Sequence, residues 1–173
     1  MLVLDQTILR LFPPLRSAWS RVGQQARVPI SGENAKAVLW GVLNPYTGHR
    51  LVQVSPSMGQ SYFWALLKLL RNNYRDRPIA LLLDKASSHR TPASRQLAEQ
   101  LGIHLLWLPT QASELNVMDQ LWRDFKREVS SNSQYPDITA HVDAGVSWVL
   151  QLSPKEILRK AGALASGFWL RKK

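Results

Sequence analysis

Apolar residues along this chain come in short blocks, each closed by a polar or turn-forming residue. Residues 1–4 read as a strand that ends in Asp5. Residues 79–83, five apolar positions in a row, read as a fully buried strand that ends in Asp84. Residues 35–43 and 49–54 predict two further strands joined by Asn44-Pro45-Tyr46-Thr47-Gly48, a turn by composition, and so an antiparallel hairpin. From Gln60 to about Tyr74 the period becomes helical, with Phe63, Leu66, Leu67, Leu70 and Tyr74 on one face. Thr91-Pro92 pairs an N-cap with a first-turn proline and starts a helix that stops at Gly102. Residues 103–108 form the next strand, ended by Pro109, and Ser113 is placed to cap a helix with the apolar stripe Leu115, Met118, Trp122, Phe125 and Val129. Residues 138–152 and 154–165 predict helices that cover the sheet, followed by a basic tail, Arg171-Lys172-Lys173. Residues 10–30 are irregular and basic, Pro13-Pro14 bars a helix there, and Phe12 and Trp19 are expected to pack on the sheet edge.

The order strand, hairpin, helix, strand, helix, strand, helix predicts an α/β fold. Its layout is ribonuclease H-like: a mixed sheet of three leading antiparallel strands, then parallel strands, with helices on both faces. One domain is expected over residues 1–173, residues 133–173 supplying its covering helices. Within this frame three acids stand where a core does not favour them. Asp5 and Asp84 close apolar strands, and sites in open α/β sheets assemble at such ends. At about 100° per residue, Asp119 lies about 40° from Leu115 and about 60° from Trp122, on the apolar face of its helix. A carboxylate facing a core costs several kcal/mol unless a cation meets it. Three carboxylates without His or Cys are hard oxygen donors, suited to Mg²⁺ or Mn²⁺ rather than zinc, and two such ions would clamp the attacking and leaving oxygens of a phosphodiester.

Composition agrees with that chemistry. The formal charge is +10 at pH 7 and the sequence pI about 10.4, which imply a polyanionic partner, most simply nucleic acid. There are no cysteines, so disulfides and thiolate zinc sites are excluded, and a reducing compartment is favoured. No apolar run approaches the roughly 20 residues of a membrane span. A cytoplasmic, nucleoid-associated bacterial protein is the expectation.

Two blocks carry a family resemblance. The first is Leu83-Asp84-Lys85-Ala86-Ser87-Ser88-His89; the second runs from Leu108-Pro109-Thr110-Gln111 through Ala112-Ser113-Glu114-Leu115-Asn116-Val117-Met118 to Asp119-Gln120-Leu121-Trp122, with 34 residues between Asp84 and Asp119. Together with Asp5 after the opening strand, they resemble the catalytic domain of mariner-type DDE/D transposases and related bacterial insertion-sequence transposases, over nearly the whole chain. The resemblance implies a ribonuclease H-like fold, metal-dependent DNA strand cleavage, and attack of the exposed 3′-hydroxyl on target DNA. It makes Asp5, Asp84 and Asp119 the catalytic, metal-binding acids, and Glu114 an acid of the motif that is not catalytic. It also implies a homo-dimer on paired transposon ends. The family's helix-turn-helix segment has no counterpart in these residues, so a separately encoded or frameshifted one is expected. Several positions depart from the family: Asp119 stands where bacterial relatives usually have Glu, Lys85 replaces Asn, Gln6 stands where an acid often follows, and Val117-Met118 replaces Pro-Ile. Around the acids, His89 either orients a ligand or phosphate or stabilises its turn, Asn116 caps or braces its helix, and Trp122 anchors that helix to the sheet. Lys85, Arg90, Arg123 and Lys126 are the candidate DNA contacts. The same residues also suit two other functions, a non-catalytic DNA-binding remnant and a stand-alone ribonuclease H-like nuclease.

Overall fold

A computed structural model describes residues 1–110 and 112–171; Gln111 of the second block and Lys172-Lys173 of the basic tail lie outside the described residues. Five strands, β1 (Leu2–Arg10), β2 (Lys36–Leu43), β3 (Arg50–Ser55), β4 (Ile79–Leu83) and β5 (Ile103–Trp107), form one sheet in the order β3-β2-β1-β4-β5. β1 pairs antiparallel with β2 and β2 with β3, whereas β1–β4 and β4–β5 are parallel. The helices are α1 (Gln60–Asn73), α2 (Ser87–Arg90), α3 (Pro92–Gln100), α4 (Val117–Phe125), α5 (Ile138–Gln151) and α6 (Pro154–Lys160). No helix among the described residues is long and apolar enough to cross a membrane.

Period-two alternation along the strands divides the core between the two faces. Val3 and Leu9 of β1, Leu39 and Leu43 of β2 and Leu82 of β4 pack with Met118, Leu121, Trp122 and Phe125 of α4 and with Val149 of α5 and Ile157 of α6. Their alternating neighbours Leu2, Leu4, Val38, Trp40, Leu81 and Leu83 pack on the other face against Phe63, Leu66, Leu67 and Leu70 of α1 and Ala98 of α3. The helical face read from residues 60–74 is thus the buried one.

Three expectations change. The first strand does not end at Asp5; it runs on to Arg10, because β2 stays bonded to it through the pair Arg10–Lys36 after β4 has left its other side. Residues 11–35 form an arm closed at its base by the bond from Leu11 N to Ala35 O (2.9 Å), and its middle leaves the sheet: Trp19 is fully exposed and Phe12 half exposed, so Trp19 does not pack on the edge. The last covering helix is short, ending at Lys160 where Gly162, at φ 69°, turns the chain into a series of tight turns.

Candidate active site

The sheet's own geometry brings two of the acids together. Val3 and Leu82 are register partners on the face covered by α4. Two positions further along each strand, alternation returns to that face with Asp5 and Asp84. Asp5 is therefore mid-strand rather than at a strand end, at the point where β4 stops and leaves room beside it. Across β1, its antiparallel partner is Gly41. A Cβ on Gly41 would lie 2.5 Å from atoms of both Met118 and Trp122, so the bare backbone lets α4 come down on the sheet next to Asp5.

α4 supplies the third acid. Asn116, not Ser113, is its N-cap: the Asn116 Oδ1 accepts from Met118 N at 3.0 Å, while Ser113 begins a separate 3₁₀ turn that also holds Leu115. The Asn116 Nδ2 donates to Leu4 O at 3.1 Å, so one buried side chain both starts the helix and ties it to the residue before Asp5. Asp119 follows in the first turn, where the helix dipole favours an acid. Its side chain is 37% exposed and lies 3.4 Å from Arg123. It is therefore at the edge of the apolar face, not within it; Leu115 lies before the helix, in the 3₁₀ turn, and packs on the same core from there. Trp122 is buried in the core as expected.

Asp5, Asp84 and Asp119 line one cleft of about 550 Å³, together with Gln6, Lys85 and Asn116. Burial pushes the Asp5 carboxyl up to about 7; the Asp84 and Asp119 charges add to the rise, while a backbone hydrogen bond at Gln6 and the Lys126 charge oppose it. Asp84 is held below the usual carboxylate range, chiefly by its hydrogen bond from His89. His89 is wholly buried, against Phe63 and near Trp40, with Nδ1 2.9 Å from Asp84 Oδ1 and Nε2 3.1 Å from the Gln6 amide nitrogen. A neutral ring that donates from Nδ1 to Asp84 keeps Nε2 free to accept from Gln6, which satisfies both bonds at once. His89 thus stabilises the turn after β4 and holds a cleft acid in place. Gln6, where an acid often stands, is the other end of this chain of bonds.

Among the described residues no three acidic or histidine side chains stand close enough together to hold a metal ion as placed. The donors nevertheless fit a hard divalent cation. They are oxygens only, they face one open cleft, and among the described residues the half-buried Asp5 has no ion-pair partner.

The sequence profile described as DDE superfamily endonuclease matches residues 1–140. The chain belongs to this endonuclease family. It is 28% identical over 132 residues to the "Insertion element IS630 uncharacterized 39 kDa protein" of Shigella sonnei, a match over 75% of this chain but only 38% of that relative. Among solved structures, 94% of the chain superposes on the Mos1 mariner paired-end complex with Mg at TM-score 0.75 and 18% identity, covering 51% of that protein. It superposes equally far on the Mos1 mariner transposase catalytic domain, at TM-score 0.64 and 16% identity, covering 76% of it. At such identities the likeness shows the fold, and the fold is ribonuclease H-like as read from the chain. Within this family member, reading by residue type overlooked Gly41; the signal was an isolated glycine in an otherwise apolar strand.

Proposed function

We propose that this endonuclease-family chain is the catalytic domain of a transposase, which cuts DNA strands in a metal-dependent reaction and joins the freed 3′-hydroxyl to target DNA. The observation that carries the reading is the convergence of Asp5, Asp84 and Asp119, from two strands and a helix, on one open cleft. These three would hold Mg²⁺ or Mn²⁺, two ions being expected. Bound there, the metal would act as a Lewis acid on the phosphodiester and lower the pKa of the attacking hydroxyl.

The chain's own residues set the arrangement. His89 fixes the rotamer of Asp84, and Asn116 fixes α4, and with it Asp119, against β1. Asp5 ionises only near neutrality in the absence of a cation, so it titrates where metal and proton compete for it. A homo-dimer acting on paired transposon ends and a separately encoded helix-turn-helix part belong to the same reading, and the paired-end assembly of the Mos1 relatives supports the former.

Nicking of a supercoiled plasmid or a duplex carrying the transposon end, in Mg²⁺ and in Mn²⁺, tests it. Asp84→Ala and Asp119→Ala are expected to lower cleavage by roughly 10³-fold or more, the loss of several kcal/mol of transition-state stabilisation. Their circular dichroism should match the wild type. Equal cleavage by the wild type and both variants would reject the assignment of these acids.

A further inference from the structure

A second hollow opens off the carboxylate cleft, on the side of β5. It encloses about 400 Å³ and is lined by Lys85, Arg90, Arg95, Trp107 and Thr110. Lys85 and Thr110 also line the cleft, so the two hollows adjoin. The three cations come from different places: Lys85 from the loop after β4, Arg90 from the end of α2 and Arg95 from α3. All three are exposed, and among the described residues none of them pairs with a carboxylate.

Their presentation is built. The buried Ser94 hydroxyl donates to Ser88 O at 2.8 Å and accepts from Trp64 Nε1 at 2.9 Å; the Thr91 hydroxyl bonds it at 2.9 Å and takes a further bond from Gln60 at 2.9 Å. This lattice locks the α2–α3 corner, and with it Arg90 and Arg95, onto α1. The Arg95 guanidinium lies 5.9 Å from the centre of the Trp107 ring, which holds it over the hollow. Three positive charges without an ion-pair partner, spread along one hollow beside an acidic cleft, match successive phosphates of a strand rather than a single small anion.

We infer that this notch is a DNA-backbone subsite: the strand held in the carboxylate cleft leaves it over Lys85, Arg90 and Arg95, along β5 and away from α4. The inference rests on the DNA reading above and adds a direction and two residues, Arg95 and Trp107, to it. The α4 side offers less. Arg123 is drawn to Asp119, Arg127 and Lys160 are taken up by Asp124 and Glu128, and Lys126 alone of the four forms no ion pair among the described residues.

The test is binding of a fluorescently labelled DNA duplex, followed by anisotropy in EDTA across a salt series, so that cleavage plays no part. For Arg90→Gln/Arg95→Gln the slope of log affinity against log salt should fall by about 1.8, and affinity at ~0.1 M salt by roughly 10-fold or more. Lys85→Gln, which touches no part of the Ser94 lattice, should by itself lower the slope by about 0.9, and it decides the matter if the double variant loses its circular dichroism. The control Arg127→Gln/Lys160→Gln removes the same charge and should lower the slope by less than half as much. Unchanged binding by the folded notch variants, or an equal loss in the control, overturns the subsite while wild-type binding leaves the DNA reading standing. Failure of the wild type to bind any duplex overturns both.

Discussion

On the α4 side of the cleft, Arg123, Arg127 and Lys160 come with acids, and Lys126 is the exception among the described residues. Arg127 lies 2.8 Å from Asp124, Lys160 lies 2.6 Å from Glu128 and 3.7 Å from Asp124, and Glu128 also accepts from Trp148 Nε1 at 3.0 Å. On the β5 side, Lys85, Arg90 and Arg95 form no ion pair among the described residues, although Lys85 borders the carboxylate cleft. Both sides contribute to the same net charge of +10, yet they do different things. Paired charges cancel at a distance and fasten α4, α5 and α6 to one another. Unpaired ones add, and their summed potential reaches a polyanion. A surplus of Lys and Arg therefore says that a partner is acidic, and the distribution of the carboxylates says where it lies.

Substitutions at unpartnered, packed and paired positions should differ in size of effect, in that order. Asp5 is the extreme case of a charge that neither side partners. Its carboxyl titrates near 7 in the folded protein and near 3.8 in a solvated chain. Below pH 3.8 both states carry the proton and nothing is lost. Between the two values the folded state holds a proton that the unfolded state has released, so stability falls as pH rises, by at most about 4 kcal/mol at pH 8. Asp5→Asn removes that penalty. In metal-free urea titrations it should be more stable than the wild type at pH 8 and indistinguishable from it at pH 3.5; no gain at pH 8 would mean that Asp5 is solvated.

Next in size is the packing that holds the α4 side. Gly41→Ala places a methyl group against the Met118 and Trp122 side chains at 2.5 Å, and both are held in the core. A loss of about 1–3 kcal/mol is expected from the shift in urea midpoint. Cleavage should fall as well, because α4 carries Asp119. A variant of wild-type stability would show that α4 has room to give.

The smallest effect belongs to the paired charges. Glu128 is 38% exposed at its side chain, so its bonds to Lys160 and Trp148 are screened, and Glu128→Gln should cost less than about 1 kcal/mol. The bond from Lys160 also holds Glu128 below the usual carboxylate range, so its contribution is present above the unfolded pKa and fades as the pH falls through its folded one. A large loss measured at pH 7 by the same urea titration would place Glu128 in the core of the α4–α6 contact rather than at its rim.

Much of this molecule was legible as pattern. The block at residues 79–83 had to be a buried strand, because five consecutive apolar residues cannot alternate between core and water, and Asp84 had to mark its exit. The Thr91-Pro92 cap and the stop at Gly102, whose φ is 62°, are local chemistry, and they stand where the sequence puts them. The paired motifs around Asp84 and Asp119 named the family for the same reason: residue type and spacing carry chemistry directly. Other features depend on what lies across the sheet. β1 extends past Asp5 only because β2 keeps its hydrogen bonds company there, and no property of residues 6–10 announces that partner. Ser113 and Asn116 are equally good caps by composition, and Asn116 is chosen because its amide also reaches Leu4 O. The depth of Asp119, the role of Gly41 and the division between paired and unpaired cations are likewise set by contacts between residues far apart in the chain. Local propensity and periodicity are written in neighbouring residues, so the elements and their chemical signatures were readable from the chain. Which acid finds a cation, and which is left to find a ligand, depends on distances that exist only once the sheet and α4 have closed on each other.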